Sequence, residues 1–93
     1  DGLLQKGVIT GTKSAIIASG QYRLYIPAGL AHPIGLDVHD RGESGKLKEN
    51  MVITIEPGIY IPNFGGVRIE DDIIIRDRGA EIITRTTKEQ IVI

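Results

Sequence analysis

The 93 residues suit one small globular domain, because 41% of them are apolar and the formal charge is only −1. The chain has no 18-residue apolar run, no basic signal-peptide head and no Lys/Arg cluster, which predicts a soluble protein without membrane or nucleic-acid binding. Without cysteine there is no disulfide and no thiolate site, so any metal would use His, Asp and Glu. The lack of cysteine also favours the cytoplasm.

Two short helices are predicted at the start of the chain. Residues 1–9 place their apolar side chains on one helical face before a glycine-rich turn, as at the end of a helix. Residues 12–19 predict a second helix, with Thr12 as its N-cap and Gly20 as its terminator. From Tyr22 onward, recurring proline and glycine favour short strand pieces separated by bends.

Strands dominate the second half of the sequence. The polar run 40–50 is predicted to be a solvated loop. Strands are predicted at 51–56 (MVITIE) and 66–76 (GVRIEDDIIIR), and the segment 59–61 leads into the second of these through a hairpin turn at PNFGG. A last extended segment at 81–86 completes an α+β fold without internal repeats.

Several carboxylates lie where apolar residues are expected. Glu56 ends an apolar strand, and an ionised carboxylate is costly there unless it is paired or metal-bound. Along 66–76, period-2 alternation places acidic residues on both faces. The simplest interpretation is a solvated face on which Arg68 or Arg76 pairs with a strand carboxylate. For Glu56, the corresponding interpretation is an arginine-paired carboxylate at a strand end.

The stretch AGLAHPIGLDVHD (28–40) contains the only two histidines, His32 and His39. A separation of seven fits neither the spacing of a helical zinc site nor two residues on one strand face. A histidine near proline and glycine is more often a hydrogen-bonded structural residue than a ligand. One or two imidazoles and two strand carboxylates would nevertheless suit Mn²⁺, Co²⁺, Fe²⁺ or Zn²⁺.

Three ordered motifs, AHPIGLDVHD, ENMVITIEPGIYI and GGVRIEDDIII, together resemble the C-terminal half of the catalytic domain of the pita-bread metallopeptidases. The resemblance is strongest to aminopeptidase P and Xaa-Pro dipeptidase and runs from about Gly2 to Thr84. It implies an α+β fold, part of a pita-bread (creatinase/aminopeptidase-like) fold with a curved, mostly antiparallel sheet and flanking helices. Residues 1–93 would be the C-terminal portion of that domain, without its upstream half. A chain that opens on Asp1 and has its only methionine at Met51 favours the same expectation.

The resemblance also implies a site. In the family, two Asp, one His and two Glu hold a pair of divalent metal ions, and the matching metal ligands are His32, Glu56 and Glu70. His39 matches a catalytic residue that contacts substrate and handles protons, and Glu70 is expected to accept a proton from water. Arg68 matches an arginine that supports the site and binds substrate. Manganese is the expected metal, with Co, Fe or Zn as alternatives.

The implied activity of the complete protein is hydrolysis of the bond between an N-terminal residue and a following proline. Its partners would be a peptide with proline at the second position, the missing upstream half and further copies of itself, and these 93 residues alone would be inactive. The alternative is a pita-bread module that binds a protein or peptide partner without catalysis. Two departures bear on this choice. Ala28 replaces a family histidine that binds substrate, and no Asp of this sequence lies in the motif of the two Asp ligands.

Overall fold

The computed structural model describes residues 1–42 and 45–93, which form two short α-helices, one 3₁₀ helix and five strands. The bounds are α1 (Gly2–Gln5), α2 (Lys13–Ser19), the 3₁₀ helix (Gln21–Leu24), β1 (Val52–Ile55), β2 (Gly58–Ile61), β3 (Gly65–Arg68), β4 (Asp71–Arg76) and β5 (Gly79–Ile82). The chain divides into two compact units, Asp1–Ala28 with Ile59–Val67, and Gly29–Gly58 with Arg68–Ile93. Within the described residues, none of the helices is long and apolar enough to cross a membrane.

The helices of the first unit follow the predicted caps. The Thr12 hydroxyl accepts a hydrogen bond from the backbone of Ala15 at 3.3 Å, and Gly20 ends α2 with a left-handed φ of 71°. Both predicted helices are therefore confirmed. The expectation of extended structure from Tyr22 is wrong at its start, because Arg23 N donates to the Gly20 carbonyl at 3.0 Å and the chain continues as a 3₁₀ helix.

A hairpin of β2 and β3 completes the first unit. Its turn contains Asn63 at φ 60° and Gly65 at φ 147°, both positive values that glycine and asparagine tolerate best. Phe64 N donates to the Ile61 carbonyl at 3.0 Å and closes this turn. The hairpin predicted at PNFGG is confirmed.

The second unit contains an antiparallel sheet with the order β1-β4-β5. Ile53, Ile73 and Ile82 are neighbours across its three strands, and their side chains share one face. Ile53 is 7% exposed, whereas Ile82 is 61% exposed, so the apolar face becomes more open toward β5. Burial is therefore concentrated at β1, the strand that leads into the site.

The segment 30–34 lies along the other edge of β1. The backbone amides of Thr54 and Glu56 donate to the carbonyls of His32 and Leu30, at 2.9 and 2.8 Å, and Ile34 N donates to the Val52 carbonyl at 3.1 Å. A bridge between residues 33 and 53 belongs to the same ladder. This pairing brings the first histidine motif beside the strand that carries Glu56.

The predicted strand 66–76 is wrong as a continuous element. β3 pairs with β2, whereas β4 pairs with β1 and β5, so the chain passes from one sheet to another at Ile69 and Glu70. Ile69 N donates to the Pro57 carbonyl at 3.1 Å in this break. Sequence alternation could not show the break, because each half is a good strand with a different ladder partner.

Of three further expectations, two differ from the structure and one agrees with it. In the segment predicted as extended at 81–86, β5 ends at Ile82, although Ile83 N still donates to the Asp72 carbonyl at 2.9 Å and the Thr84 hydroxyl accepts from Asp72 N at 2.8 Å. The strand pieces expected around 36–38 are bends and turns, because the chain turns back on itself there and Gly35 N donates to the Asp37 carbonyl at 3.2 Å. The loop predicted at 40–50 is free of helix and strand in its described residues, and residues 43 and 44 lie outside the described part.

A candidate metal centre at the end of a strand

Glu56 directly follows β1, and its side chain is only 13% exposed. The apolar side chains of β1 pack in the sheet. Because successive side chains of a strand point to opposite faces, Thr54 and Glu56 lie on the same face. Three groups contact the Glu56 carboxylate. The Thr54 hydroxyl lies 3.1 Å from Oε1, His32 Nε2 lies 3.0 Å from the same oxygen, and Arg68 Nε lies 3.7 Å from Oε2. These contacts offset the cost of a largely buried carboxylate.

His32 is positioned by the ladder between 30–34 and β1. Its Nδ1 lies 3.0 Å from the Pro33 carbonyl, and its Nε2 points at Glu56. Both ring nitrogens therefore face oxygen acceptors, and a neutral imidazole has a proton for only one of them. A cation shared by Nε2 and the Glu56 carboxylate would satisfy this arrangement while Nδ1–H donates to the carbonyl, a common pattern in metal-binding histidines.

Glu70 reaches the site from the break between β3 and β4. Its side chain is 40% exposed, and Arg68 Nη2 lies 3.7 Å from Oε2. Arg68, itself 49% exposed, is thus close to both carboxylates, because Nε faces Glu56 and Nη2 faces Glu70. The expected pairing of Glu56 with an arginine at a strand end is observed. At 3.7 Å and with its two side chains 49% and 40% exposed, the pair of Arg68 and Glu70 contributes little to stability.

His39 lies beside His32, with the ring centroids 4.4 Å apart and the planes tilted by 51°. The loop that carries it folds back tightly, since Asp40 N donates to the Pro33 carbonyl at 3.2 Å and the Asp40 carboxylate fills the space where a side chain at Gly35 would lie. A larger residue at position 35 would therefore require the Asp40 side chain to move. The His39 side chain is exposed, so it is accessible to a ligand.

The structure brings the three predicted ligands together. One ligand atom from each of His32, Glu56 and Glu70 can be chosen so that all three lie within 4.8 Å of one another. One imidazole nitrogen and two carboxylates form a donor set suited to Mn²⁺, Fe²⁺, Co²⁺ or Zn²⁺, so these residues fit a divalent cation. His39 and Arg68 border the same group. The individual roles of these five residues remain predictions.

Sequence reasoning missed Thr54. Its side chain is 1% exposed, and its hydroxyl bonds both to the backbone of His32 and to Glu56. A threonine within a β-strand is ordinary, because β-branched residues favour strands, so nothing in the strand pattern singled it out. Its position two residues before Glu56, on the same strand face, was the one available signal.

Comparison with known proteins shows the family of this chain. The profile of metallopeptidase family M24 matches residues 7–77, which is most of the chain. The chain belongs to metallopeptidase family M24. Members of that family are metal-dependent hydrolases, and a divalent metal centre accords with the cluster of His32, Glu56 and Glu70.

Individual M24 relatives are similar over much of this chain. It is 48% identical over 81 residues to the Xaa-Pro dipeptidase of Pyrococcus horikoshii, an alignment that covers 82% of this chain and 23% of the relative. It is 44% identical over 87 residues to the uncharacterized peptidase YqhT of Bacillus subtilis, covering 88% of this chain and 24% of the relative. The chain thus spans about a quarter of the length of these relatives.

A solved structure shows the same fold. An Escherichia coli aminopeptidase P variant superposes with a TM-score of 0.81 and 40% identity, over 90% of this chain and 22% of that one. The same enzyme has been solved in a zinc-substituted form with product and with the inhibitor Pro-Leu. The expected fold class, an α+β part of a pita-bread fold with mostly antiparallel strands, is confirmed.

Proposed function

We propose that the complete protein carrying this chain is a metal-dependent peptidase that removes an N-terminal residue from a following proline. The observation that carries the proposal is the convergence of His32, Glu56 and Glu70 to within 4.8 Å. Similarity to a Pyrococcus Xaa-Pro dipeptidase and to aminopeptidase P supports the substrate class, a peptide with proline at the second position.

We propose that this chain carries only part of the metal-binding site. Residues 1–93 would be the C-terminal portion of the catalytic domain and would supply three of five ligands, with two aspartates from the upstream half. The quarter-length coverage of the relatives supports this arrangement. So do the large apolar side chains that remain open to solvent, such as Leu36 and Ile82. The 93 residues alone would bind metal weakly and be inactive.

Each residue of the cluster has a proposed role. His32, Glu56 and Glu70 would hold two divalent ions, with manganese expected and cobalt, iron or zinc as alternatives. When bound, the ions supply Lewis acidity for the scissile carbonyl and activate water. Glu70 would accept a proton from the attacking water, because it is the more exposed of the two carboxylates.

His39 and Arg68 would act on the substrate. His39 is exposed and lies against His32, so it can bind the substrate carbonyl and manage protons without being a ligand. Arg68 lies 3.7 Å from each carboxylate, so its positive charge would offset their mutual repulsion while it also contacts substrate. The complete protein would be a cytoplasmic homo-oligomer.

The test uses the complete protein. Calorimetric titration with Mn²⁺ or Co²⁺ should show binding that His32→Ala weakens strongly. The metal-loaded protein should cleave Ala-Pro or Ala-Pro-Ala, and should not cleave Ala-Ala or Ala-Ala-Ala. Cleavage of the dipeptide alone would indicate a dipeptidase, and cleavage of the tripeptide an aminopeptidase. Absence of metal binding, or equal cleavage without proline, would contradict the proposal.

A second candidate is a pita-bread module that binds a protein or peptide partner without hydrolysis. Ala28 favours it, because the related peptidases are expected to carry a substrate-binding histidine at that position. The same assay separates the candidates. Binding of a proline-containing peptide to the metal-loaded protein without cleavage would favour the module. Ala28→His should raise turnover if the protein is a peptidase, and should leave a non-catalytic module without cleavage.

A further inference from the structure

Among the described residues, Thr54 is the one polar residue that is buried. Its side chain is 1% exposed, less than that of Ile53, which is 7% exposed on the same strand. A buried hydroxyl is costly unless its hydrogen-bonding capacity is used. The partners of the Thr54 hydroxyl therefore define what this side chain does.

The hydroxyl of Thr54 joins two candidate ligands. The backbone N–H of His32 donates to Oγ1 at 3.0 Å, and Oγ1 lies 3.1 Å from Glu56 Oε1. An amide can only donate and an ionised carboxylate can only accept. The direction of both bonds is thus fixed: the Thr54 hydroxyl accepts from the His32 N–H and donates its single hydrogen to Glu56 Oε1.

These bonds close a ring with the imidazole. His32 Nε2 lies 3.0 Å from the same Oε1, so the His32 backbone, the Thr54 hydroxyl, the Glu56 carboxylate and the His32 ring are connected in sequence. The other oxygen, Oε2, faces Arg68 at 3.7 Å. Oε1, with two partners at 3.0–3.1 Å, is therefore the oxygen that fixes the orientation of the Glu56 carboxylate.

The strand makes this arrangement rigid. Thr54 and Glu56 are two residues apart and lie on one strand face, which places the hydroxyl beside the carboxylate. A β-branched side chain in a strand has little rotational freedom at χ1. Thr54 N also donates to the His32 carbonyl at 2.9 Å, so backbone and side chain hold the same pair of segments.

From this geometry we infer that Thr54 is a positioning residue: its hydroxyl fixes the Glu56 carboxylate relative to the His32 imidazole, in readiness for a shared divalent cation. The inference rests on the metal centre proposed above. Replacing a residue that hydrogen-bonds a metal ligand commonly lowers metal affinity by about 10–100-fold, and a loss of that size is expected when the Thr54 hydroxyl is removed.

The experiment compares three variants of the complete protein. Thr54→Val removes the hydroxyl with little change of shape, and Thr54→Ser retains it. Thr84→Val is the matched control, because the Thr84 hydroxyl accepts a backbone hydrogen bond from Asp72 at 2.8 Å in the same sheet. No hydrogen bond joins Thr84 to the three candidate ligands in the part of the chain that the structure describes.

Two measurements are made on each protein. Co²⁺ titration, followed by calorimetry and by the visible absorption of the bound ion, should show affinity reduced about 10–100-fold and an altered spectrum in Thr54→Val. Thr54→Ser should restore both, and Thr84→Val should leave both unchanged. In the metal-free proteins, the ¹⁵N chemical shifts of the His32 ring, measured by NMR, should change in Thr54→Val and stay unchanged in Thr54→Ser and Thr84→Val.

The outcomes separate the inference from the proposed function. Unchanged Co²⁺ affinity and spectrum in Thr54→Val would overturn the inference and leave the metal centre intact. If the unmodified protein binds no Co²⁺, the metal centre is wrong, and the ¹⁵N signals alone decide whether Thr54 positions His32 and Glu56. If Thr54→Val does not fold, Thr54→Ala takes its place: Co²⁺ binding about 10–100-fold weaker than in Thr54→Ser supports the inference, and equal binding by the two variants would overturn it.

Discussion

The two carboxylates of the candidate centre are held in different ways. Glu56 follows β1, is 13% exposed and is contacted at 3.0–3.1 Å by His32 and Thr54. Glu70 lies in the break between β3 and β4, is 40% exposed and is approached by Arg68 at 3.7 Å. One half of the site is built into a strand ladder, and the other half is carried by an irregular segment near the surface.

Because of this difference, Glu56 should contribute both to the stability of the fold and to metal binding, whereas Glu70 should contribute to metal binding alone. A largely buried carboxylate with close partners contributes to stability, because removing it leaves those partners without a hydrogen-bond acceptor. An exposed carboxylate at 3.7 Å from its cation contributes little. Substitutions at Glu56 and Glu70 should therefore both remove metal, although only the first should weaken the fold.

The largest effect is expected for Glu56→Ala in the complete protein. It should lose metal and peptidase activity, and its free energy of unfolding should fall by about 1–3 kcal/mol, because the buried Thr54 hydroxyl loses its acceptor. Urea denaturation of the metal-free protein and metal analysis of the purified protein test this. Unchanged stability would show that the strand does not depend on this carboxylate.

Glu70→Ala should lose metal and activity as completely, but its free energy of unfolding without metal should change by no more than about 0.5 kcal/mol. The matched control is Glu81→Ala, since Glu81 is 54% exposed and pairs with Arg76. The control should keep both metal and activity. A Glu70→Ala protein as destabilised as Glu56→Ala would remove the distinction between the two halves.

His39→Ala should leave the metal content near that of the unmodified protein and lower kcat by about 10²–10⁴-fold, the range typical of a lost acid–base group. The reason is that His39 contacts the ring of His32 without belonging to the cluster of candidate ligands. Metal analysis and steady-state kinetics with an Xaa-Pro peptide decide the matter. Loss of metal in parallel with kcat would make His39 part of the metal centre.

The smallest effect is expected for Arg68→Lys. Its metal-free unfolding free energy should change by less than about 1 kcal/mol, because both ion pairs are 3.7 Å long and the Arg68 side chain is 49% exposed. A lysine cannot face both carboxylates with a fork of donors, so kcat/KM should fall roughly fivefold, equivalent to about 1 kcal/mol. Arg76→Lys, which alters an arginine paired with Glu81, should leave kcat/KM unchanged.

Local signals in the sequence correctly predicted much of the fold. Thr12 and Gly20 delimited α2 because their capping roles depend on neighbouring residues alone, and PNFGG predicted its hairpin for the same reason. The break at Ile69 and Glu70 was not predictable in this way. It follows from a change of strand partner, which depends on residues far away in the sequence.

The sequence by itself determined the residue types of the candidate centre, because its three ordered motifs resemble those of the pita-bread metallopeptidases and that resemblance predicted His32, Glu56 and Glu70 as ligands. Only the tertiary structure decided that they converge, since residues 24 and 14 positions apart meet through pairing across β1 and a turn out of β3. The role inferred for Thr54 also belongs to the tertiary structure. A threonine acquires a specific partner only when a ladder places an amide on one side of its hydroxyl and a carboxylate on the other.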